Sequence, residues 1–140
     1  MPNHTYSHPK LSTLSFEAAA NEINAAQKFI AASAKGSTAQ TRFFRPPYGD
    51  SDYKTLLAVD DARLYPLFWN IDSRDWEAKS PQDMVKLTVK VADEMDGGII
   101  LLHDIHEVTA RGLADLIEAL RAKRFGFAMW NGQTFVRQAD

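Results

Sequence analysis

Two histidines near the N-terminus have a spacing that suits metal binding. His4 and His8 lie four residues apart in the run HTYSH. On a helical turn, positions i and i+4 project from the same face, so two imidazoles can share one metal ion. An isolated pair of this kind is more often a pair of surface histidines. A hydrolytic zinc site also has three protein ligands and an open position for water, so this pair alone is an incomplete ligand set.

Three further polar groups each follow an apolar segment. Arg45 precedes two prolines, and it either pairs with a surface carboxylate or holds a catalytic one. His103 follows the run IILL and is either a core histidine that bonds a carbonyl or, beside Asp75, a general acid. Loops after strands are polar in most proteins. That explanation weakens when three such loops carry an arginine, an aspartate and a histidine.

Two aromatic residues stand in the same polar loops. Tyr48 and Trp76 are either core aromatics or flat rings that meet a ligand such as the face of a sugar. The second interpretation is favoured by their polar neighbours, because core aromatics are more often surrounded by apolar sequence.

The elements that must position these residues alternate along the chain. Helices are predicted over residues 16–34, 52–64, 81–95 and 112–123, and strands over 41–44, 67–71, 99–102, 125–130 and 134–136. Uniformly apolar strands separated by helices predict a parallel sheet in an α/β fold. The site of such folds lies at the carboxyl ends of the strands. We therefore expect Arg45, Asp75 and His103 to converge at one rim.

Composition limits the classes of protein that fit. The chain has 140 residues, of which 45% are hydrophobic and 24% charged, and this predicts a single domain over residues 1–140. A net charge of −2 without a basic block gives no reason to expect a nucleic-acid partner. No apolar run approaches the roughly 18 residues of a membrane span. The absence of cysteine excludes disulfides and thiolate chemistry, and nothing indicates the compartment.

Four motifs follow one another in a recognisable order. They are H-S/T-x-x-H at residues 4–8, R-x-x-R-P-P-Y-G at 42–49, D-x-x-D-W at 72–76 and L-x-H-D at 101–104. Each is weak alone, but the ordered set is highly specific. On these residues the chain resembles the polysaccharide deacetylase family, also called the NodB homology domain or carbohydrate esterase family 4.

The resemblance implies a fold, a reaction and a cofactor. The fold is a distorted (β/α) barrel, and the reaction is hydrolysis of N-acetyl, less often O-acetyl, groups on a polysaccharide or oligosaccharide. His4 and His8 correspond to ligands of a divalent metal, usually zinc. The Tyr48 backbone N–H corresponds to an oxyanion donor, and Arg45 to the residue that orients the catalytic base.

The remaining motifs imply an acid and a pocket. His103 corresponds to the general acid that protonates the leaving amine, and Asp75 to the residue that tunes its charge. Leu101 and Trp76 correspond to the walls of the pocket that takes the acetyl methyl group.

One family motif is absent from the sequence. T-F-D-D-G-P lies upstream of the histidine pair in the family and supplies both the base aspartate and the third metal ligand. The only Asp-Asp pair here, Asp60-Asp61, lies inside a predicted helix and is followed by Ala-Arg. We therefore expect a partial (β/α) barrel of parallel strands without about the first three strands, through truncation or a misplaced gene start.

This departure changes the functional expectation. A chain without the base should be impaired as a deacetylase, and the alternative is a non-catalytic remnant or a carbohydrate-binding module. An incomplete barrel also has an open edge, with the strand Thr41–Phe44 at or near it. Unpaired edge groups predict self-association.

Overall fold

The computed structural model describes residues 2–33, 42–131 and 133–138. The chain divides between Phe68 and Trp69 into two compact units, each with its own hydrophobic core. The first unit contains helices α1 (Phe16–Ser33) and α2 (Tyr53–Asp61) and strands β1 (Phe43–Phe44) and β2 (Tyr65–Pro66). The second contains strands β3 (Ile71–Asp72), β4 (Ile100–Leu101), β5 (Ala128–Trp130) and β6 (Phe135–Arg137) and helices α3 (Pro81–Glu94) and α4 (Glu107–Ala122).

The first unit is built around strand β1. This strand pairs in parallel with β2, and Asn3 forms a parallel bridge to Phe44 on its other side. The side chains of Ile23, Phe44 and Val59 are buried in the core between this sheet and the two helices. Phe43–Phe44 is therefore flanked on both sides, and the backbone around Asn3 is the outer edge of this sheet in the described part of the chain. Thr41, also predicted in this strand, lies outside the described residues.

Helix α1 packs through small residues. Ala19, Ile23 and Ala26 recur every three or four residues and are buried, as an amphipathic helix requires. Phe29, an apolar residue of the same helix, is 64% exposed. The predicted end of this helix at Ala34 lies outside the described residues.

The second unit begins with a parallel strand pair. Ile71 lies opposite Ile100, and Asp72 lies opposite Leu101. Helices α3 and α4 cover this pair and bury Met84 and Leu116. The start of α3 is as predicted, because the Ser80 hydroxyl caps it by accepting the Asp83 N–H at 3.1 Å and proline occupies the first helical position.

The last two strands form an antiparallel hairpin. Trp130 lies opposite Phe135, and the Asn131 side chain accepts the N–H groups of Gln133 and Thr134 across the turn. Gly132 lies outside the described residues. The expectation of parallel pairing therefore holds for β1–β2 and β3–β4 and is wrong for β5–β6.

Several element boundaries differ from the prediction. Helix α2 ends at Asp61, before Arg63 adopts a left-handed φ of 54°. The predicted strand 67–71 is replaced by two short strands, β2 before it and β3 at its end. Helix α4 begins at Glu107, so Gly112, predicted as its first residue, lies inside it. A Cβ at Gly112 would meet the Met84 side chain at 2.7 Å, so glycine permits the close packing of α4 on α3.

The α/β class agrees with the prediction, whereas a barrel that lacks three strands stays a prediction. Among the described residues, none of the helices combines the length and the apolar content that crossing a bilayer needs.

Candidate active site

Asp75 and His103 meet at the carboxyl ends of two neighbouring strands. Asp75 lies three residues beyond the end of β3, and His103 lies two residues beyond the end of β4. The Asp75 carboxylate accepts a hydrogen bond from His103 Nδ1 at 2.8 Å and another from the His103 backbone N–H at 2.6 Å. The Asp75 side chain is fully buried, whereas that of His103 is 27% exposed. The structure therefore supplies a buried anion that holds a partly exposed imidazole.

A third donor completes the surroundings of this carboxylate. The hydroxyl of Thr109, in the first turn of α4, donates to Asp75 Oδ2 at 2.6 Å. Burial works to raise the pKa of Asp75, but the bonds from Thr109 and from the ring and backbone of His103 outweigh it and hold the pKa below its ordinary value. Asp75 is thus an ionised acceptor, and His103 Nδ1 carries the proton that it donates.

Three other residues lie close to this pair in the sequence. Trp76, next to Asp75, is 55% exposed, and Leu101 is 7% exposed at the end of β4. The His106 ring lies edge-on to the His103 ring, with 5.6 Å between their centroids. The role of Trp76 and Leu101 as walls of an acetyl pocket stays a prediction.

The two N-terminal histidines also come together, but not on a helix. Their ring centroids are 4.8 Å apart at an angle of 77°. Thr5 and His8 have left-handed φ values of 65° and 60°, so residues 4–8 form a loop and the helical-turn geometry is wrong. A β-branched residue in this region is strained, and such conformations persist where the surroundings enforce them.

Asn3 and Glu22 enforce the shape of this loop. The buried Asn3 amide donates to the Ile23 carbonyl at 2.9 Å and accepts the Thr5 N–H at 3.0 Å. Glu22 accepts the N–H groups of Tyr6 and Ser7. Helix α1 therefore holds the loop that carries both histidines.

Arg45 lies against His4. The His4 Nδ1 is hydrogen-bonded to the Arg45 carbonyl, and the Arg45 guanidinium lies 3.0 Å from His4 Nε2. Both contacts are satisfied when Nδ1 carries the proton and Nε2 accepts from the guanidinium. Arg45 belongs to the first unit, and its convergence with Asp75 and His103 stays a prediction.

Tyr48 occupies the turn that follows Arg45. Its φ of 60° lies in the left-handed region, which is unusual for a residue with a side chain. Its ring, 67% exposed, stands edge-on to His8 at 4.7 Å between centroids. Asp50 fixes the following loop by accepting the Ser12 backbone N–H and hydroxyl, and these bonds lower its pKa.

The described residues do not complete a metal centre. No group of three histidine, cysteine, aspartate or glutamate side chains within residues 2–33, 42–131 and 133–138 could hold a metal ion. His4 and His8 are close, but two neutral imidazoles bring no charge to offset a dication.

Sequence reasoning missed the residues that support the site. Thr109 lies before the predicted start of α4, and Glu22 lies inside the predicted helix 16–34 without belonging to any motif. Hydrogen bonds that span 34 and 15 residues of sequence leave no periodic signal. The one sequence signal for a supporting role of Asn3 is its position directly before the first histidine motif.

Comparison with known proteins identifies the family. The model described as Polysaccharide deacetylase matches residues 1–67. The peptidoglycan-N-acetylmuramic acid deacetylase PdaC of Bacillus subtilis is 32% identical over 120 residues, covering 84% of this chain and 24% of that protein. The chitooligosaccharide deacetylase of Azorhizobium caulinodans is 36% identical over 103 residues, covering 73% of this chain and 47% of that protein.

Solved structures agree with this result. A family 4 carbohydrate esterase from Streptomyces lividans, in complex with acetate, is 28% identical with a TM-score of 0.81, covering 99% of this chain and 68% of that chain. A family 4 pseudoenzyme from Bacillus anthracis shares the fold at 24% identity, with a TM-score of 0.76 over 89% of this chain and 42% of that chain.

The fold is thus the α/β fold of the carbohydrate esterase family 4 deacetylases. The chain belongs to the polysaccharide deacetylase family, whose named relatives are hydrolases that remove acetyl groups. It spans less than half the length of either curated relative.

The lowered pKa of Asp75 makes an acid-dependent contribution to stability. That contribution is complete above the ordinary value of 3.8 and is lost as the pH falls through the lower pKa of the folded state. Asp75→Asn should therefore reduce the free energy of unfolding at pH 7 by about 1–3 kcal/mol, because the buried donors lose a charged acceptor. The variant's stability should also fall less steeply than the wild type between about pH 5 and 2.

Urea denaturation at a series of pH values measures both effects. Asp115→Asn, the same change at an exposed position of α4, is the control and should leave the curve unchanged. Parallel curves for wild type and Asp75→Asn would show that this carboxylate has no special bonding in the folded chain.

Proposed function

We propose that this chain carries the general-acid half of a metal-dependent hydrolase that removes N-acetyl, less often O-acetyl, groups from a polysaccharide or oligosaccharide. The observation that carries the proposal is the contact of His103 with the buried carboxylate of Asp75. Family membership supports the reaction class, since the named relatives act on peptidoglycan, chitin and chitooligosaccharides.

The proposed role of His103 is to protonate the leaving nitrogen. Asp75 stabilises the imidazolium and fixes Nδ1–H, so Nε2 is the nitrogen that gives up the proton. As the carbon–nitrogen bond breaks, its electron pair stays on nitrogen, which takes the proton from Nε2 and leaves as an amine. His103 is then neutral, with Nδ1–H still bonded to Asp75.

The sugar side of the site is proposed around Trp76 and Leu101. Trp76, which follows Asp75 in the sequence, exposes more than half of its surface. Leu101 is an apolar side chain at the end of β4, two residues before His103. An exposed indole suits the face of a sugar ring, and an aliphatic wall suits an acetyl methyl group.

In the first unit, we propose an oxyanion donor and a base-orienting residue. The left-handed turn at Tyr48 is the kind of strained backbone found at sites of function, and its N–H is the proposed donor to the oxyanion. Arg45 is the proposed residue that orients a base carboxylate. Its contact with His4 supports this, because the guanidinium already lies beside a proposed ligand.

The proposed cofactor is a divalent metal ion, zinc, with His4 and His8 among its ligands. A metal-bound histidine usually donates its other ring N–H to a carbonyl or carboxylate, and His4 Nδ1 meets the Arg45 carbonyl in this way. The third ligand is proposed to come from the family's Asp-Asp motif, which this sequence does not contain. A zinc ion in the complete site would activate water.

Zinc should bind this chain weakly. Structural zinc sites are worth about 10–16 kcal/mol, whereas a dissociation constant of 1 μM corresponds to about 8. With two neutral ligands, we expect a constant of roughly 1 μM or weaker by calorimetric titration, further weakened in His4→Ala and His8→Ala. His106→Ala is the control, because this histidine lies in the other unit. Tight, stoichiometric binding would mean that another carboxylate replaces the absent ligand.

The chain alone should release acetate slowly or not at all. General base catalysis is typically worth about 10²–10⁴-fold, and no motif here supplies the base. Acetate release from N-acetylglucosamine oligomers in the presence of zinc should fall below that of the Azorhizobium caulinodans chitooligosaccharide deacetylase by at least this factor. A rate within tenfold of that enzyme would overturn the proposed impairment.

The alternative, a non-catalytic remnant or a carbohydrate-binding module, is supported by the exposed indole of Trp76, which could contact a sugar without any reaction. The same preparation distinguishes the two functions. Oligomer binding without acetate release, lost in Trp76→Ala, would favour the binding module. Traces of acetate release that require His103 would favour an impaired enzyme.

We also propose that the chain self-associates through its open sheet edge. In the described part of the chain the β1–β2 sheet ends at the backbone around Asn3, and unpaired backbone groups at a sheet edge template further pairing. Light scattering at micromolar concentration should give a mass above 15.7 kDa, with a two-fold dimer as the expected product. A monodisperse monomer that unfolds cooperatively would contradict this proposal.

A further inference from the structure

Thr109 uses its buried hydroxyl in an unusual way for a helical threonine. It lies in the first turn of α4, is 4% exposed and donates to Asp75 Oδ2 at 2.6 Å. Thr88, a buried threonine of α3, makes the ordinary local bond to the Met84 carbonyl one turn earlier, at 2.8 Å. Thr109 instead reaches a carboxylate 34 residues away in sequence.

The two oxygens of Asp75 are held by different elements. Oδ2 accepts the His103 backbone N–H after β4 and the Thr109 hydroxyl from α4, and Oδ1 accepts His103 Nδ1. The terminal torsion of an aspartate is broad, so a single bond leaves the plane of the carboxylate free to turn. Two donors on Oδ2 from separate elements fix that plane and direct Oδ1 at the imidazole.

We infer that Thr109 is a positioning residue: its hydroxyl fixes the Asp75 carboxylate and thereby holds His103 in the Nδ1–H tautomer. Nε2 is then the nitrogen available to a reacting group. The consequence for catalysis rests on the proposed general-acid role of His103, whereas the positioning itself does not.

In the described part of the chain, few charged side chains compete with Thr109 for interaction with the Asp75 carboxylate. His103 contacts it, and the His106 ring at the start of α4 lies 5.6 Å from the His103 ring. Glu107, the first residue of α4, is paired with Arg111 at 2.6 Å. Asp72 at the end of β3 accepts the Arg74 N–H. The Thr109 hydroxyl is an uncharged donor, so its removal changes no formal charge.

Two substitutions separate the hydroxyl from the shape of the side chain. Thr109→Val keeps the shape and removes the donor, and Thr109→Ser keeps the donor. Nuclear magnetic resonance of the whole labelled chain then follows two signals, the Asp75 carboxyl carbon against pH and the two ring nitrogens of neutral His103. Neither readout requires zinc, substrate or activity.

The valine variant should move both signals. Loss of one donor should raise the Asp75 titration midpoint by about 1 pH unit, because two or three such bonds together lower a carboxyl pKa by about 2. The ratio of Nδ1–H to Nε2–H tautomers of His103 should fall about tenfold, since a hydrogen bond to a charged group is of that strength. The serine variant should match the wild type in both. Thr88→Val, which removes a buried hydroxyl elsewhere, should leave both signals unchanged.

Other outcomes overturn the inference. Identical titrations and tautomer ratios in the wild type and Thr109→Val would show that the hydroxyl does not position the dyad. Thr109→Ala provides a smaller replacement if valine prevents folding. If neither variant folds while serine does, the hydroxyl serves the fold and the positioning role is rejected. If the positioning result is as expected but a longer family member releases acetate at an undiminished rate after its corresponding histidine is replaced, only the proposed function is rejected.

Discussion

The second unit depends on the buried negative charge of Asp75. An ionised carboxylate without exposed surface is costly unless donors surround it, and here three donors come from the His103 backbone, the His103 ring and Thr109. The pairing of Asp72 with Leu101 in the β3–β4 register brings the segments after both strands to the same end of the sheet. Strand pairing, helix docking and site geometry are therefore satisfied by the same few hydrogen bonds.

A buried amide plays the corresponding part in the first unit. Asn3 bonds through its backbone to β1 and through its side chain to the Ile23 carbonyl and Gln27 of α1. It also accepts the N–H of Thr5, which has a left-handed φ. Because these bonds stabilise the entry to the histidine loop, the strain at Thr5 and His8 is offset by contacts outside the histidines themselves.

Sequence reasoning succeeded where polar residues follow apolar strands, and it failed where contacts are long-range. The proximity of Asp75 and His103 could be predicted because the carboxyl ends of parallel strands lie at one edge of the sheet. This holds even when the exact bounds of the strands are predicted wrongly. The place of Thr109 in α4 could not be predicted, because glycine is common at helix boundaries and the sequence pattern therefore predicts the start of the helix at Gly112. In the structure Gly112 lies inside α4, where it packs against Met84. The helical turn proposed for the histidine pair was wrong for a related reason, since tertiary bonds from Asn3 and Glu22 override local spacing.

The bonds that hold the proposed acid and those that hold the proposed base-orienting residue belong to different residues. Asp75, His103 and Thr109 satisfy one another, so this acid half needs nothing from a catalytic base in order to fold. Arg45 has several donors in a rigid fork and a permanent charge, and in this chain its guanidinium meets His4 Nε2. The Arg45 guanidinium therefore has a hydrogen-bond partner in this chain whether or not a base carboxylate lies beside it. Removing a base from such a site would cost little stability, because no buried polar group would lose its partner.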